Sequence, residues 1–566
     1  MTTQTAADLV QPAQHTARPS PWILGPMRDL LLFVATPLIV FAAVTALDSG
    51  IASKDIQYFV LAFGAMGHNL PGMMRAYGDR ELFARFKTRF VVAPIAIFAA
   101  CFLFAWTGSS AILLIAYLWA IWHAWMQVFG FLRIYDAKVG ATARRHARLD
   151  FAMCTVWFGS ALFFSDARLH LVQSNIARFG VGPLSPDTLS MLRSALLVVM
   201  AATTLFYVAD QVVRAVRGQR VSHIKNLLYV TSIGFWWYAH VAIADVMLGL
   251  IMFEVFHDVQ YLGIVWVFNQ KRVAAGVETG SFTRLLFRNG WGMVFIYVGL
   301  CMLYGGFIPA SATFTATPLA AALAATVIQS SGILHYYYDG FIWKVREAST
   351  RRGLGVDAGN GASDTIGRHA GLRHGAKWLL LVLPAAGLWF AGENDPPLEL
   401  SRALVASTPE APDAHFELAV QLNKERHHAE SLPHLEAALN KLQDDREVSD
   451  NLAMARLQAA KDELRAGHEQ DATLLLRGAH AALPGLATQS VQRGLELWQK
   501  KEVDEAVVHL RAAVIMDGSD AIAHLNLALA YRDAGQRDRA LEHARLGAAL
   551  RPGDAKAQTL VAELTR

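Results

Sequence analysis

The chain has 566 residues, 54% of them hydrophobic and only 17% charged, a balance too apolar for an ordinary soluble protein of this length. The formal charge of +4 is small, so no nucleic-acid partner is expected, and the informative quantity is where the basic residues fall. All three cysteines, Cys101, Cys154 and Cys301, lie in apolar runs, which argues against a disulfide framework or a cysteine-based zinc site.

Residues 1–27 form a polar tail, and no short apolar core with a cleavage site precedes the first long apolar run, so no cleaved signal peptide is expected. Runs long enough to cross a bilayer, roughly 17–25 residues each, begin near Leu30, Tyr58, Phe90, Ala111, Phe151, Ser194, Asn226, Leu248, Gly292, Leu319 and Trp378. The expected fold is therefore all-α: a polytopic bundle of about eleven transmembrane helices over residues 28–392. Basic residues accumulate in alternate loops: Arg75 to Arg89, Arg133 to Arg148, Arg214 to Lys225, Lys271 to Arg288, and seven between Lys344 and Lys377. The intervening loops hold only Lys54, Arg168 and Arg178 as clear cases. Such alternation predicts a cytoplasmic N-terminus and a periplasmic C-terminal part in a bacterial inner membrane. Residues 346–376, rich in glycine, read as a cytoplasmic loop, and 393–412, with Pro396, Pro397, Pro409 and Pro412, as a linker.

From residue 413 the composition changes to Ala, Leu, Glu, Arg and His. Ala472, Ala506 and Ala540 recur at 34 residues, as do Pro484, Gly518 and Pro552. His509-Leu510-Arg511 matches His543-Ala544-Arg545 in phase, and a unit around Ala429 lies nine residues out of phase. Over 413–566 this resembles the tetratricopeptide repeat (TPR), which implies paired helices and a concave surface for a protein or peptide partner.

Chemistry is expected in the membrane half, where ionisable groups are costly. His68, His123, His240, His257 and His335 stand in five different predicted helices. Counted from the basic ends at 1.5 Å per residue, all five lie roughly 10–21 Å deep, so they share one layer. Glu254 and His257 form Glu-x-x-His, the spacing at which both side chains of a carboxylate-bridged di-iron bundle point one way. His335 with Asp339, His123 with Gln127, and His257 with Tyr261 are i,i+4 pairs, suited to co-ligands or to groups that orient a ligand. The expected metal ligands are His68, His123, His240, Glu254, His257 and His335, with Glu254, Asp339 and Tyr261 as catalytic candidates and iron as the first choice of metal. Each histidine taken singly is more often a helix-to-helix hydrogen-bonding residue; the shared depth is what raises the group. Arg75 with Asp79, Arg133 with Asp136, Asp136 with Lys138 and Asp339 with Lys344 read as interfacial ion pairs. The tyrosines Tyr336 to Tyr338 suit either an interfacial belt or the wall of an apolar pocket, and Pro71 just after His68 predicts a helix break beside a site.

Single histidines on separate helices resemble, in kind, the histidine-rich integral-membrane iron enzymes, the class of desaturases, hydroxylases and bacterial carotene-cleaving oxygenases. The His-x-x-x-His boxes of desaturases are absent from this half, and the arrangement is nearer that of the carotene dioxygenases. The resemblance implies an iron oxygenase or oxidase acting on a lipophilic small molecule. Competing readings are a haem electron-transfer protein, a transporter or membrane scaffold that recruits partners through its repeats, and a TPR-containing membrane glycosyltransferase. Against the last stands the first external loop, near Asp48 to Ile56, which is short for such a role.

Overall fold

The computed structural model describes residues 20–48, 59–276, 280–311, 317–343, 350, 354, 370–442 and 445–566. Among these, every regular element is helical. They divide into two compact units, one from the described parts of Met1–Phe164 and Met191–Glu393, the other from Ser165–Ser190 and Asn394–Arg566.

The first unit opens with a single turn, Pro26–Asp29, and a π turn, Leu30–Val34, leading into α1 (Thr36–Asp48). Asp29 anchors this entry by accepting from the backbone N–H groups of Ile23 and Leu24 and from the Tyr135 hydroxyl, at 2.7, 2.8 and 2.9 Å. A second π turn, Val60–Ala65, is followed by α2 (Asn69–Gly78), α3 (Arg80–Thr107), α4 (Ala111–Lys138) and α5 (Arg144–Phe164). The next helix, α6 (Asp166–Ala177), belongs to the other unit. The first unit resumes within α7 (Pro186–Val216) and continues with α8 (His223–Trp237), a third π turn Tyr238–Ala242, α9 (Val246–Ala274), α10 (Ser281–Leu286), α11 (Trp291–Ser311), α12 (Pro318–Ile342) and α13 (Ala370–Ala391). Polar residues start these helices where caps are needed. Asp79, Ser222, Asp245 and Thr317 each accept from a backbone N–H three residues on, and Pro318 fills a first-turn position that needs no donor.

Seven helices, α3, α4, α5, α7, α9, α12 and α13, are long and apolar enough to cross a bilayer among the described residues, rather than the eleven expected. The shortfall is physical. The first expected span is bent by 51° between Val34 and Thr36. The second is split at 66–68 into the π turn and α2, and Pro71 sits in the first turn of the restarted helix. The α8 helix has only 15 residues before its π turn, and the apolar part of α11 is short, Trp291–Gly306. The loop expected at 346–376 lies largely outside the described residues, as does Lys344.

Between α4, α5 and α8 sits a buried charge network. Lys225 Nζ lies 2.9 Å from Asp136 and 2.6 Å from Asp150, and Arg133 Nη1 lies 2.7 and 2.8 Å from the same two carboxylates. Arg133 and Asp136 thus pair as read, but Asp136 also takes a lysine from another helix. Asp79 pairs with Arg272 of α9 instead of Arg75.

The second unit contains α6 and then α14 (Leu398–Ser407), α15 (Pro412–Lys424), α16 (His428–Lys441), α17 (Arg446–Ala466), α18 (Glu469–Ala482), α19 (Gly485–Gln499), α20 (Val503–Met516), α21 (Ala521–Asp533), α22 (Arg537–Leu550) and α23 (Ala555–Thr565). The segment 393–412, expected as a linker, therefore contains a helix; Pro397 stands at its N-cap, where a missing N–H costs nothing. Likewise Arg168 and Arg178 do not lie in a simple loop. The α6 helix packs on the start of the repeats, with Gln173 Nε2 donating to Ser407 Oγ at 3.1 Å and His170 Nε2 lying 3.2 Å from Glu417 Oε2.

Helices α15 to α22 form four tandem hairpins, the TPR-like architecture. Their second helices begin at His428, Glu469, Val503 and Arg537, hence 41, 34 and 34 residues apart. The counterpart of Ala472, Ala506 and Ala540 in the first hairpin is Ser431, fully buried like them, so the insertion is seven residues rather than nine. It lies in the longer α17, which has 21 residues against 15 in α19 and 13 in α21. Seven residues make about two turns at 3.6 per turn, so the buried face keeps its direction.

Replacing Lys225 by methionine would leave Asp136 and Asp150, 0% and 1% exposed, short of their main cation. The expected loss is about 3–5 kcal/mol of stability, read as a lower midpoint of denaturant unfolding in detergent; an unchanged midpoint would show that the network contributes nothing.

Candidate metal centre

Four of the five histidines meet. His68 arrives at the N-cap of α2, at the break after the second π turn, while His123, His257 and His335 project from α4, α9 and α12. One nitrogen of each lies within 4.8 Å of one from every other. His335 Nε2 is 3.0 Å from His68 Nε2 and 3.1 Å from His123 Nε2. The His257 ring stands 5.1 and 5.0 Å from the rings of His68 and His123, and its Nε2 is buried without a hydrogen-bond partner. The four are 2%, 8%, 2% and 0% exposed in chain order.

Hydrogen bonding does not satisfy this arrangement. A ring nitrogen offers one proton or one lone pair, yet His335 Nε2 faces two other Nε2 atoms, and the His257 nitrogen has none in line. A cation satisfies all four by accepting a lone pair from each. At a metal–nitrogen bond of about 2.1 Å, neighbouring ligand nitrogens stand about 3.0 Å apart at right angles and about 3.4 Å apart at tetrahedral angles. The spacings to His335 match the first value, and the donor set of imidazoles suits iron, copper or zinc.

Carboxylates stand where they would balance such an ion. Asp258 Oδ1 lies 2.7 Å from His68 Nδ1, close enough for a charged contact though out of line for a hydrogen bond. Asp339 Oδ2 lies 3.9 Å from His335 Nε2. Its Oδ1 accepts from the Tyr261 hydroxyl at 2.9 Å and from Trp343 Nε1 at 3.2 Å, which fixes the carboxylate's direction. Gly72 makes room for this group. A Cβ there would stand 3.0 Å from the Tyr261 hydroxyl, 3.3 Å from His335 Nδ1 and 3.4 Å from Asp339 Oδ1. Just before His68, a Cβ on Gly67 would come within 2.6 Å of the Cys301 carbonyl oxygen, so only glycine lets the broken segment approach α11.

The remaining expectations divide. His240 is not in the cluster: it falls in the third π turn, stacks on Trp236 with ring centroids 3.8 Å apart, and its Nδ1 lies 3.2 Å from the Trp236 carbonyl oxygen. The wider π turn sets its ring toward that tryptophan. Glu254 is half-buried and is not among the groups whose ligand atoms converge within 4.8 Å. Gln127 does not orient His123. It donates instead to the His257 carbonyl oxygen at 2.9 Å. Of the three tyrosines, Tyr336 borders the site, its ring 5.0 Å from His123 and 6.3 Å from Trp119. Tyr337 contacts His374 and Tyr338 contacts Tyr77. Asp258 was not among the expected residues. It serves a histidine on a different helix, and spacing within one helix carries no sign of that.

The His335 Nε2 distances of 3.0 and 3.1 Å to His68 and His123 are shorter than the about 4 Å between two nitrogens on opposite sides of one iron, so neither pair has the spacing of axial haem ligands.

No protein-family model matches the chain, and no curated protein matches it. Solved structures with matching segments include the MamA protein, at 17% identity over 29% of this chain and 85% of that one with a TM-score of 0.17. Another is TTC0263, a thermophilic TPR protein in Thermus thermophilus, at 22% identity over 34% of this chain and 96% of that one with a TM-score of 0.15. At these scores the likenesses carry no argument, and the repeat fold rests on the helix pairing described above.

Changing Asp258 to asparagine keeps its shape and removes its charge. Metal affinity in competition with a chelator should fall about 10- to 100-fold, whereas His240→Phe should leave it unchanged. Equal affinities for wild type and Asp258→Asn would show that this carboxylate does not support the site.

Proposed function

We propose that the protein is an integral-membrane, metal-dependent oxygenase or oxidase acting on a lipophilic substrate, with iron held by His68, His123, His257 and His335. The observation that carries this reading is the convergence of four buried imidazoles, in which His335 Nε2 faces the Nε2 atoms of both His68 and His123 and His257 Nε2 has no hydrogen-bond partner. Bound there, iron would supply redox chemistry with dioxygen, which amino-acid side chains lack. The chain's own groups do the rest. The negative charge of Asp258 beside His68 Nδ1 favours the tautomer protonated there, which leaves the Nε2 lone pair to face inward. Tyr261 and Trp343 hold Asp339 against His335. Tyr336 and Trp119 give one side of the site an apolar wall, and Glu254, one turn from His257, supplies a carboxylate able to hold a proton.

Placement in a bilayer is supported by apolar side chains left exposed among the described residues. On α7, Val198, Leu205 and Phe206 are 69%, 71% and 71% exposed, and on α13 Leu380 and Phe390 reach 75% and 86%. Of the seven long apolar helices, four, α7, α9, α12 and α13, follow residue 185. An even number returns the chain to the side it left, which agrees with 165–190 and 394–566 belonging to one compact unit. With the basic loops inside, that unit faces the periplasm of a bacterial inner membrane, and its tandem hairpins would take a protein or peptide partner.

Protein purified in detergent should contain about one iron per chain, and His257→Ala should lose it. Oxygen uptake should appear when apolar lipid extracts are added to the iron-loaded protein. Wild-type protein without stoichiometric metal, after reconstitution with iron, copper and zinc in turn, would overturn the reading.

A further inference from the structure

A second polar feature lies away from the four histidines. Arg75, on α2, is 5% exposed. Its guanidinium lies between two aromatic rings, with Cζ 3.8 Å from the centre of Trp343 and 4.1 Å from that of Phe268. Stacking satisfies the faces of the group and leaves its in-plane N–H donors in need of acceptors. Nη2 donates to Thr350 Oγ1 at 3.3 Å. Nε and Nη1 are buried with no hydrogen-bond partner.

The neighbouring cation does not relieve this shortage. Arg272, 8% exposed, is paired with Asp79, so two guanidinium groups and one carboxylate meet here. Asp339 is held by Tyr261 and Trp343 and forms no ion pair with Arg75 among the described residues. Arg75 also lines a small cavity together with Asp79, Asn269, Arg272 and Thr283. A buried cation with unmet donors beside a cavity is costly unless an anion enters.

We propose that this cavity is an anion site in which Arg75 binds one phosphate group. Guanidinium donors suit oxyanions, and a strongly hydrated lysine would serve less well between two rings. Arg75 follows His68 by seven residues, roughly 10 Å of helix rise, so the anion site does not include the four histidines and does not rest on the metal reading, although Arg75 stacks on the Trp343 that holds Asp339. The phosphate belongs either to an anionic phospholipid or to a free ion; the lipid source alone depends on the membrane reading.

The test uses full-length protein, delipidated in detergent and followed by thermal unfolding. Inorganic phosphate is one probe; nanodiscs of phosphatidylcholine with and without phosphatidylglycerol are the other. Wild type should gain a higher unfolding temperature with one of them. A response to inorganic phosphate identifies a free anion, and a response only to phosphatidylglycerol identifies a lipid headgroup. Arg75→Met should show neither response, yet without ligand it should unfold no earlier than wild type, because it removes an uncompensated charge. Arg75→Lys should bind with a dissociation constant raised at least about tenfold, and it carries the test if the methionine variant does not fold. Metal content should stay the same in both variants. No response of wild type to either probe, or an equal response in the Arg75 variants, overturns the proposal.

Discussion

Neutral imidazoles can pair nitrogen to nitrogen only two at a time, because each ring nitrogen has a single lone pair or a single proton to offer. Bringing four such nitrogens within 4.8 Å in a dry interior is therefore unfavourable unless something between them accepts electron density. The geometry of the first unit follows from that constraint. Four separate segments must present a histidine at one level, and the surrounding carboxylates must offset a charge that the imidazoles cannot. Asp258 and Asp339 occupy those places, and both come from helices that also supply a histidine.

Irregular backbone makes the convergence possible. His68 stands at a break rather than within a helix, and the glycine before it allows a backbone approach that any side chain would block. The cost of the break is contained because α2 restarts with proline in its first turn, where a backbone donor is dispensable. Away from the site the same unit uses the opposite device: Lys225, Asp136, Asp150 and Arg133 are matched in charge and tightly paired. Matched ions hold helices together, whereas the unmatched nitrogens of the cluster and of Arg75 mark places where something else belongs.

Much of this was legible in the sequence, in an uneven way. Depth along each helix was readable, because rise per residue is fixed, and it brought His68, His123, His257 and His335 to one layer. Direction around the helix was less readable. His240 shares the depth but sits in a π turn, whose extra residue rotates its ring onto Trp236. Asp258 was invisible to spacing rules because its partner is on another helix. In the repeats the period was plain, but the first hairpin was placed on Ala429 instead of Ser431, since an insertion of two helical turns changes the count without changing the face. A better signal was present. His415 and His434 are separated by 19 residues, as are His524 and His543, and in both pairs the Nδ1 atoms meet, at 2.9 and 3.0 Å.

The α6 helix bears on the order in which the chain is completed. It ends at Ala177, while the helices it packs on begin at Leu398, so roughly 220 residues must be synthesised before its partners exist. At about 5–20 residues per second, that is a wait of about 10–40 s. Throughout it Gln173 and His170 lack the side chains they finally meet, and the first element of the repeat unit must persist as an unfinished edge until the start of the hairpin array has emerged.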